Sequence, residues 1–188
     1  MARLPFTDPG KNLGVNIFRV MNNAPAAAKG FSSLGSRILG ETSVEPKLRE
    51  LVIDAISVKL DCPYEWSHHA KWALDVGASP EELEALKRKD LDALGPLERA
   101  VVSYAQKVDD NTVADADIET LRDAGLNDQH IVELTLTAGF YGMTARFLNA
   151  MDVEYDPDVP QDFEIPAGGG SAARKSFDRL QEARDTKG

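Results

Sequence analysis

Residues 50–69, ELVIDAISVKLDCPYEWSHH, place Glu50, Cys62, Glu65 and His69 between two runs with helical spacing. Side chains three and four apart share a helix face, so Glu65 and His69 are expected to lie together, with Cys62 one turn earlier. A first helix that ends near Asp61 and folds back into a second brings Glu50 toward the same spot. The rest of the chain has to accommodate that folded-back pair.

The flanking sequence continues the helical pattern. Residues 16–21 and 25–39 alternate apolar and small side chains at helical spacing, and 40–44 is a break. Pro46 suits a first helical turn, where its missing N–H costs nothing. Leu48, Leu51, Val52, Ala55 and Ile56 then form a wide apolar stripe up to Leu60. Pro63 opens the next helix, whose apolar face is Trp66, Ala70, Ala73 and Leu74, and Gly77 is its expected C-terminal cap. Ser79-Pro80-Glu81-Glu82 is an N-cap, a proline and two acids at the positive end of a helix dipole. Further helices are predicted over 96–108, 115–124 and 129–151. The last is capped by Asn127-Asp128 and carries Ile131, Leu134, Leu136, Phe140, Phe147 and Leu148. Few segments alternate with period two, so the expected fold is all-α, a compact antiparallel helical array in one domain over 1–156. Residues 157–188 change character. DPDVPQDFEIPAGGG is acidic and rich in proline and glycine, the mark of an extended tail, with a short helix expected over 171–183.

Totals narrow the function classes. A chain of 188 residues with formal net charge -10 and pI near 4.8 repels nucleic acid and anionic membrane, and no apolar run approaches a membrane span. The N-terminal residues contain no apolar stretch of signal-peptide length, so the expected compartment is the cytoplasm. A single cysteine forbids an intrachain disulfide, and three histidines leave little material for a zinc site. No metal and no cofactor is expected.

The candidate catalytic residues are Glu50, Cys62, Glu65 and His69. Each has a plainer reading. Glu50 falls with Asp54 and Ser57, away from the apolar stripe, which makes it a solvated glutamate by pattern. Cys62 sits at a helix N-terminus, which favours thiolate, though a free cysteine also serves as a small buried hydrophobe. Glu65 follows Cys62 by three and would help cap the helix. His69 would serve equally as a satisfied core histidine. Together, two acids and a histidine can tune one another's pKa values as a general acid and base require. Tyr64, Trp66 and Trp72 are expected to wall the pocket. His68 points about 100° away from His69 on an ideal helix and belongs to the rim or core. On the last helix Tyr141, Arg146 and Asn149 are polar groups in an apolar run. They read as a structural salt bridge and cap, or as a carboxylate anchor built on Arg146. Tyr64, Trp66, His68, Tyr141, Arg146 and Asn149 are thus the candidate substrate-binding residues.

The stretch PKLRELVIDAISVKLDCPYEWSHHAKWALDVGASPEELEAL resembles the core signature of the carboxymuconolactone decarboxylase and alkyl hydroperoxidase D superfamily. LNDQHIVELTLTAGFYGMTARFLNAMDVEYD and NIFRVMNNAPAAAKGFSSLGSRIL resemble its closing and opening helices, so the likeness spans roughly 15–156. The peroxidase branch carries Glu, eleven residues, Cys-x-x-Cys, three residues and His. Glu50, Cys62 and His69 match that frame, whereas Glu65 replaces the second, peroxidatic cysteine and Tyr64 replaces a histidine found between the cysteines in some members. The EWxHH pattern is similar to the decarboxylase-type branch. That resemblance implies acid–base chemistry without a cofactor on a small carboxylated or lactone-type substrate. His69 and Glu65 would be the acid–base pair, Glu50 would orient His69 or relay protons, and Cys62 would be a pocket wall or accessory donor. The resemblance also implies a homotrimer or homohexamer, with the apolar arcs of 46–60 and 129–151 suited to subunit burial. The rivals are a peroxidase-like oxidoreductase using Cys62 alone, and a non-catalytic binding or assembly subunit.

Overall fold

In the computed structural model, residues 2–8, 14–159 and 163–165 are described, and the predicted helix over 171–183 lies outside them. The described residues form eight α-helices: α1 Asn16–Met21, α2 Pro25–Gly40, α3 Pro46–Lys59, α4 Pro63–Asp75, α5 Pro80–Arg88, α6 Pro96–Asp110, α7 Asp115–Asp123 and α8 Asp128–Met151. No strand occurs among them. A 3₁₀ turn, Leu91–Ala93, joins α5 to α6 and was not predicted. Five of the helices, α2 to α6, begin on proline, where the ring fixes φ and the lost N–H has no helical partner. The expected caps close as hydrogen bonds. Ser79 Oγ accepts from Glu82 N–H at 3.1 Å and Glu82 Oε2 accepts from Ser79 N–H at 2.7 Å. Asn127 Oδ1 accepts from His130 N–H at 2.9 Å. Gly77 and Gly125, at φ +102 and +91, turn the chain after α4 and α7.

The array is organised around α3, which packs against α4, α5, α6 and α8. Every residue from Leu48 to Ser57 is buried. That encirclement corrects the reading of Glu50 as solvated. Amphipathic reasoning assigns the polar face to water, but here the face carrying Glu50, Asp54 and Ser57 is covered as completely as the apolar stripe. The apolar arc of α3 is likewise covered within the chain.

A smaller cluster joins α1 to the start of α4 and the end of α8 through Ile17, Val20, Cys62, Tyr64 and Leu148. On α8, Ile131, Leu134 and Phe140 are buried, but Leu136 is 51% exposed beside half-exposed Val132 and Met143. After α8 the chain returns across α1. Asn16 Nδ2 donates to the carbonyls of Glu154 and Tyr155, and Phe163 and Ile165 lie against the main core. No helix is long and apolar enough to cross a membrane among the described residues.

Candidate functional site

The backbone turns at Asp61, with φ +50, and α4 folds back along α3. This fold-back sets Glu50 against His69 as the spacing requires. His69 Nδ1 lies 2.7 Å from Glu50 Oε2. The other oxygen of Glu50 accepts two hydrogen bonds from Arg49, from Nε at 3.0 Å and Nη2 at 2.9 Å. Glu50 is 1% exposed. Burial would push its carboxyl up, but His69 and Arg49 together hold it below the usual carboxylate range. An ionised carboxylate only accepts, so Nδ1 of His69 carries the proton and Nε2 is the nitrogen left for chemistry. That nitrogen lies 3.5 Å from Glu65 Oε2, an oxygen with no hydrogen-bond partner. Burial raises the Glu65 carboxyl, and His69 and His68 draw it only partly back. Trp72 and Tyr141 meet the His69 ring edge-on, with centroids 4.8 and 4.9 Å away.

Glu65 and His69 open onto a cavity of about 390 Å³ between α1, α2, α4 and α8. Its wall is largely aromatic, with Phe18, Phe31, Trp72, Phe140 and Tyr141, and its titratable members are Tyr64, Glu65, His68, His69 and Tyr141. No lysine or arginine belongs to the lining among the described residues. Gly35 lets α2 approach α8 here, since a Cβ would sit 2.9 Å from the Phe140 ring.

Several predicted site residues lie elsewhere. Cys62 is 1% exposed in the α1–α4–α8 cluster and does not line the cavity. Burial pushes its thiol up to about 12, although the backbone N–H groups of Glu65 and Tyr64 favour thiolate. The helix N-terminus is real, but desolvation wins over it. Trp66 belongs to the main core with Lys87 over its ring at 5.1 Å, so only Tyr64 and Trp72 of the three expected walls are present. Arg146 is 57% exposed and bonds Asp109 at 2.8 Å and its own helix at Gly142 O. Asn149 Nδ2 donates to the carbonyls of Leu60 and Asp61 at the end of α3. Both lie outside the cavity lining, in a salt bridge and a cap. Tyr64, His68 and Tyr141 do line it.

Three partners were missed by sequence reasoning. Arg49 reads as an ordinary charged helix residue, and only the burial of Glu50 gives it a role. Asp156 accepts from His68 Nε2 at 3.0 Å, from Asn16 N–H at 2.7 Å and from the Tyr64 hydroxyl. No local spacing announces a contact between positions 88 residues apart. Asp54 is buried below Glu50, and neither of its oxygens has a hydrogen-bond partner. Burial, with Glu50 and Glu65 nearby, raises its carboxyl well above the usual range. Among the described residues no cluster of three or more His, Cys, Asp or Glu side chains is placed to hold a metal ion.

Comparison with known proteins gives the same scaffold. Residues 25–107 match the carboxymuconolactone decarboxylase family. An uncharacterised peroxidase-related protein with an alkylhydroperoxidase AhpD core, from Ralstonia eutropha JMP134, is 20% identical, with TM-score 0.74 over 84% of this chain and 93% of that one. A peroxidase-related protein from Silicibacter sp. TM1040 is 21% identical, with TM-score 0.70 over 79% and 80% of the two chains. The debrominase Bmp8 in complex with 2,3,4-tribromopyrrole is 17% identical, with TM-score 0.61 over 88% and 81%. At these identities the likeness is one of fold. No curated protein matches the chain.

The raised carboxyl of Asp54 predicts a pH signature. Its folded-state pKa lies above the unfolded one, so its contribution is complete below the ordinary aspartate range and is lost as pH rises toward the folded value. The loss approaches about 1.4 kcal/mol per pH unit for such a group. Urea unfolding of Asp54→Asn across neutral pH should show a flatter profile and a more stable protein than the parent. Profiles that run parallel would mean Asp54 is ionised in the fold.

Proposed function

We propose that the chain, which matches the carboxymuconolactone decarboxylase family over residues 25–107 and shares the fold of an alkylhydroperoxidase AhpD core, is a member of that superfamily and an acid–base enzyme working without a cofactor. Its substrate is a small lactone-type ring carrying a carboxylate, and its reaction is decarboxylation. The observation that carries this reading is the Arg49–Glu50–His69 chain, which ends in a free imidazole nitrogen 3.5 Å from a raised carboxyl on the cavity wall. Glu50 fixes the tautomer and orientation of His69. Glu65, raised by burial, is the proton donor, and His69 Nε2 takes the proton that resets it.

As the C–C bond to the carboxylate breaks, its electron pair passes into the ring as an enolate. Carbon dioxide leaves, and the proton held between Glu65 and His69 forms the new C–H bond. The lining supports that route. The carboxylate meets no lysine or arginine there and loses its charge as it leaves, so an apolar wall disfavours the ground state more than the transition state.

Thiol peroxidase chemistry finds less support. Cys62 lacks a second cysteine, its thiol is buried away from the cavity, and burial works against the thiolate. The test is a parallel assay with 4-carboxymuconolactone and with hydroperoxide plus an external thiol. His69→Ala should lower carbon dioxide release by about 10²- to 10⁴-fold, while Cys62→Ser should retain it. Peroxide turnover that disappears in Cys62→Ser would place the protein with the thiol enzymes instead.

We further infer a homo-oligomer, a trimer or hexamer, formed through the outer face of α8. Val132, Leu136 and Met143 make a stripe at helical spacing that the chain itself leaves half-exposed. In light scattering after gel filtration, Leu136→Glu should run as a smaller species than the parent. An unchanged mass would remove α8 from the interface.

A further inference from the structure

The cavity wall on α4 carries two histidines, and each is wired to a different carboxylate. Tyr64 and Glu65 sit side by side, and one turn later so do His68 and His69. The result is two i,i+4 pairs on adjacent strips of one helix. The Glu65/His69 strip is backed by Glu50 from α3. The Tyr64/His68 strip is backed by Asp156, which follows α8 and lies outside the segment 25–107 that matches the family.

Asp156 is buried, and three donors converge on it. Asn16 N–H supplies one oxygen, while the Tyr64 hydroxyl and His68 Nε2 supply the other. Burial would raise its carboxyl, but those donors hold it below the usual range. The Tyr64 and His68 rings lie against each other, with centroids 4.8 Å apart and planes 34° apart, which limits how the imidazole can turn. A latch between α1 and the segment after α8 would need only Asn16 and Tyr64. The bond to His68 instead reaches a ring that lines the cavity.

The two imidazoles are therefore oriented in opposite senses. His69 gives Nδ1–H to Glu50 and keeps Nε2 for the cavity. His68 gives Nε2–H to Asp156, and Nδ1 is its remaining nitrogen. We propose that Asp156 positions His68 as a second proton-handling group of this cavity, independent of the Glu50–His69 pair. Two such groups suit a substrate that loses a proton at one atom and gains one at another, such as an unsaturated lactone whose double bond moves. A C–H bond breaks as one imidazole takes the proton, the allylic electron pair shifts, and the other imidazolium forms the new C–H bond. No oxidant or reductant is needed. The two rings then exchange their proton states through solvent. This assignment rests on the acid–base reading above.

The deciding experiment reads the wiring without any substrate. In full-length protein labelled with ¹⁵N-histidine, long-range ¹⁵N–¹H correlation spectra report which ring nitrogen carries the proton, and His68→Gln identifies the His68 signals. The expected result is Nε2–H for His68 and Nδ1–H for His69. In Asp156→Asn the amide oxygen should stay on Asn16 N–H and turn its NH₂ toward His68. An amide in place of a carboxylate imposes the opposite tautomer, so His68 should switch to Nδ1–H while His69 is unchanged. A His68 that is already Nδ1–H in the parent would overturn the assignment, as would a variant spectrum in which both rings move together. The parent spectrum decides even if Asp156→Asn does not fold. With muconolactone, an unsaturated lactone whose double bond can move, as the probe, Asp156→Asn should lower kcat for that isomerisation at least about 10-fold and leave KM within a few-fold. A kcat within two-fold of the parent would also overturn it. No isomerisation by the parent would overturn the two-proton role, whereas failure of the parent to decarboxylate 4-carboxymuconolactone would defeat only the decarboxylase reading.

Discussion

The arrangement depends on one buried charge and its compensation. Glu50 is enclosed in the middle of the most enclosed helix, where an ionised carboxylate without partners is strongly disfavoured. It is kept ionised by two hydrogen bonds from Arg49 and one from His69. Removing one partner from such a buried set typically costs about 3–5 kcal/mol, and the Glu50–His69 contact, the member of the set that spans the two helices, helps hold α4 in register against α3. The register in turn sets Glu65 on the cavity wall and Cys62 in the packing behind it. Asp54 shows the other outcome at the next turn. With no donor to compensate it, its carboxyl is pushed up rather than kept charged.

How far the sequence led depended on whether the signal was local. Prolines at helix starts, Ser79 and Asn127 as caps, and the glycines after α4 and α7 act within a few residues, and they placed the helix limits within a residue or two. The i,i+4 relation of Glu65 and His69 is equally local and holds in the fold. Readings failed where they needed to know what lay across the interface. Glu50 looked solvated because a polar face ordinarily meets water, and nothing in α3 says that four other helices surround it. Arg146 was open to two readings, a salt bridge or a carboxylate anchor, and only the fold shows that Asp109 from α6 bonds it. Arg49 and Asp156 were invisible for the same reason, since their importance lies wholly in what they touch.

Cys62 separates position in a motif from chemical role. It matches the frame of a thiol enzyme in sequence and keeps the helix N-terminus that would activate it. Yet it is buried in the cluster with Ile17, Val20 and Leu148 and is not part of the cavity lining. The titratable groups that line the cavity are two imidazoles, a carboxyl and two phenols, which are suited to proton transfer. A scaffold of this kind hosts several chemistries, and in this chain the side chains facing the cavity, more than the frame they share with relatives, decide between them.

The most direct test of the central claim, that Glu65 and a His69 oriented by Glu50 deliver a proton inside this cavity, is turnover of 4-carboxymuconolactone in D₂O followed by mass spectrometry of the product. The account predicts one solvent deuterium on carbon for each carbon dioxide released, with the rate falling at least about 100-fold in Glu50→Gln while the fold is kept. Product that forms at the parent rate in Glu50→Gln, or that carries no solvent deuterium, would contradict it.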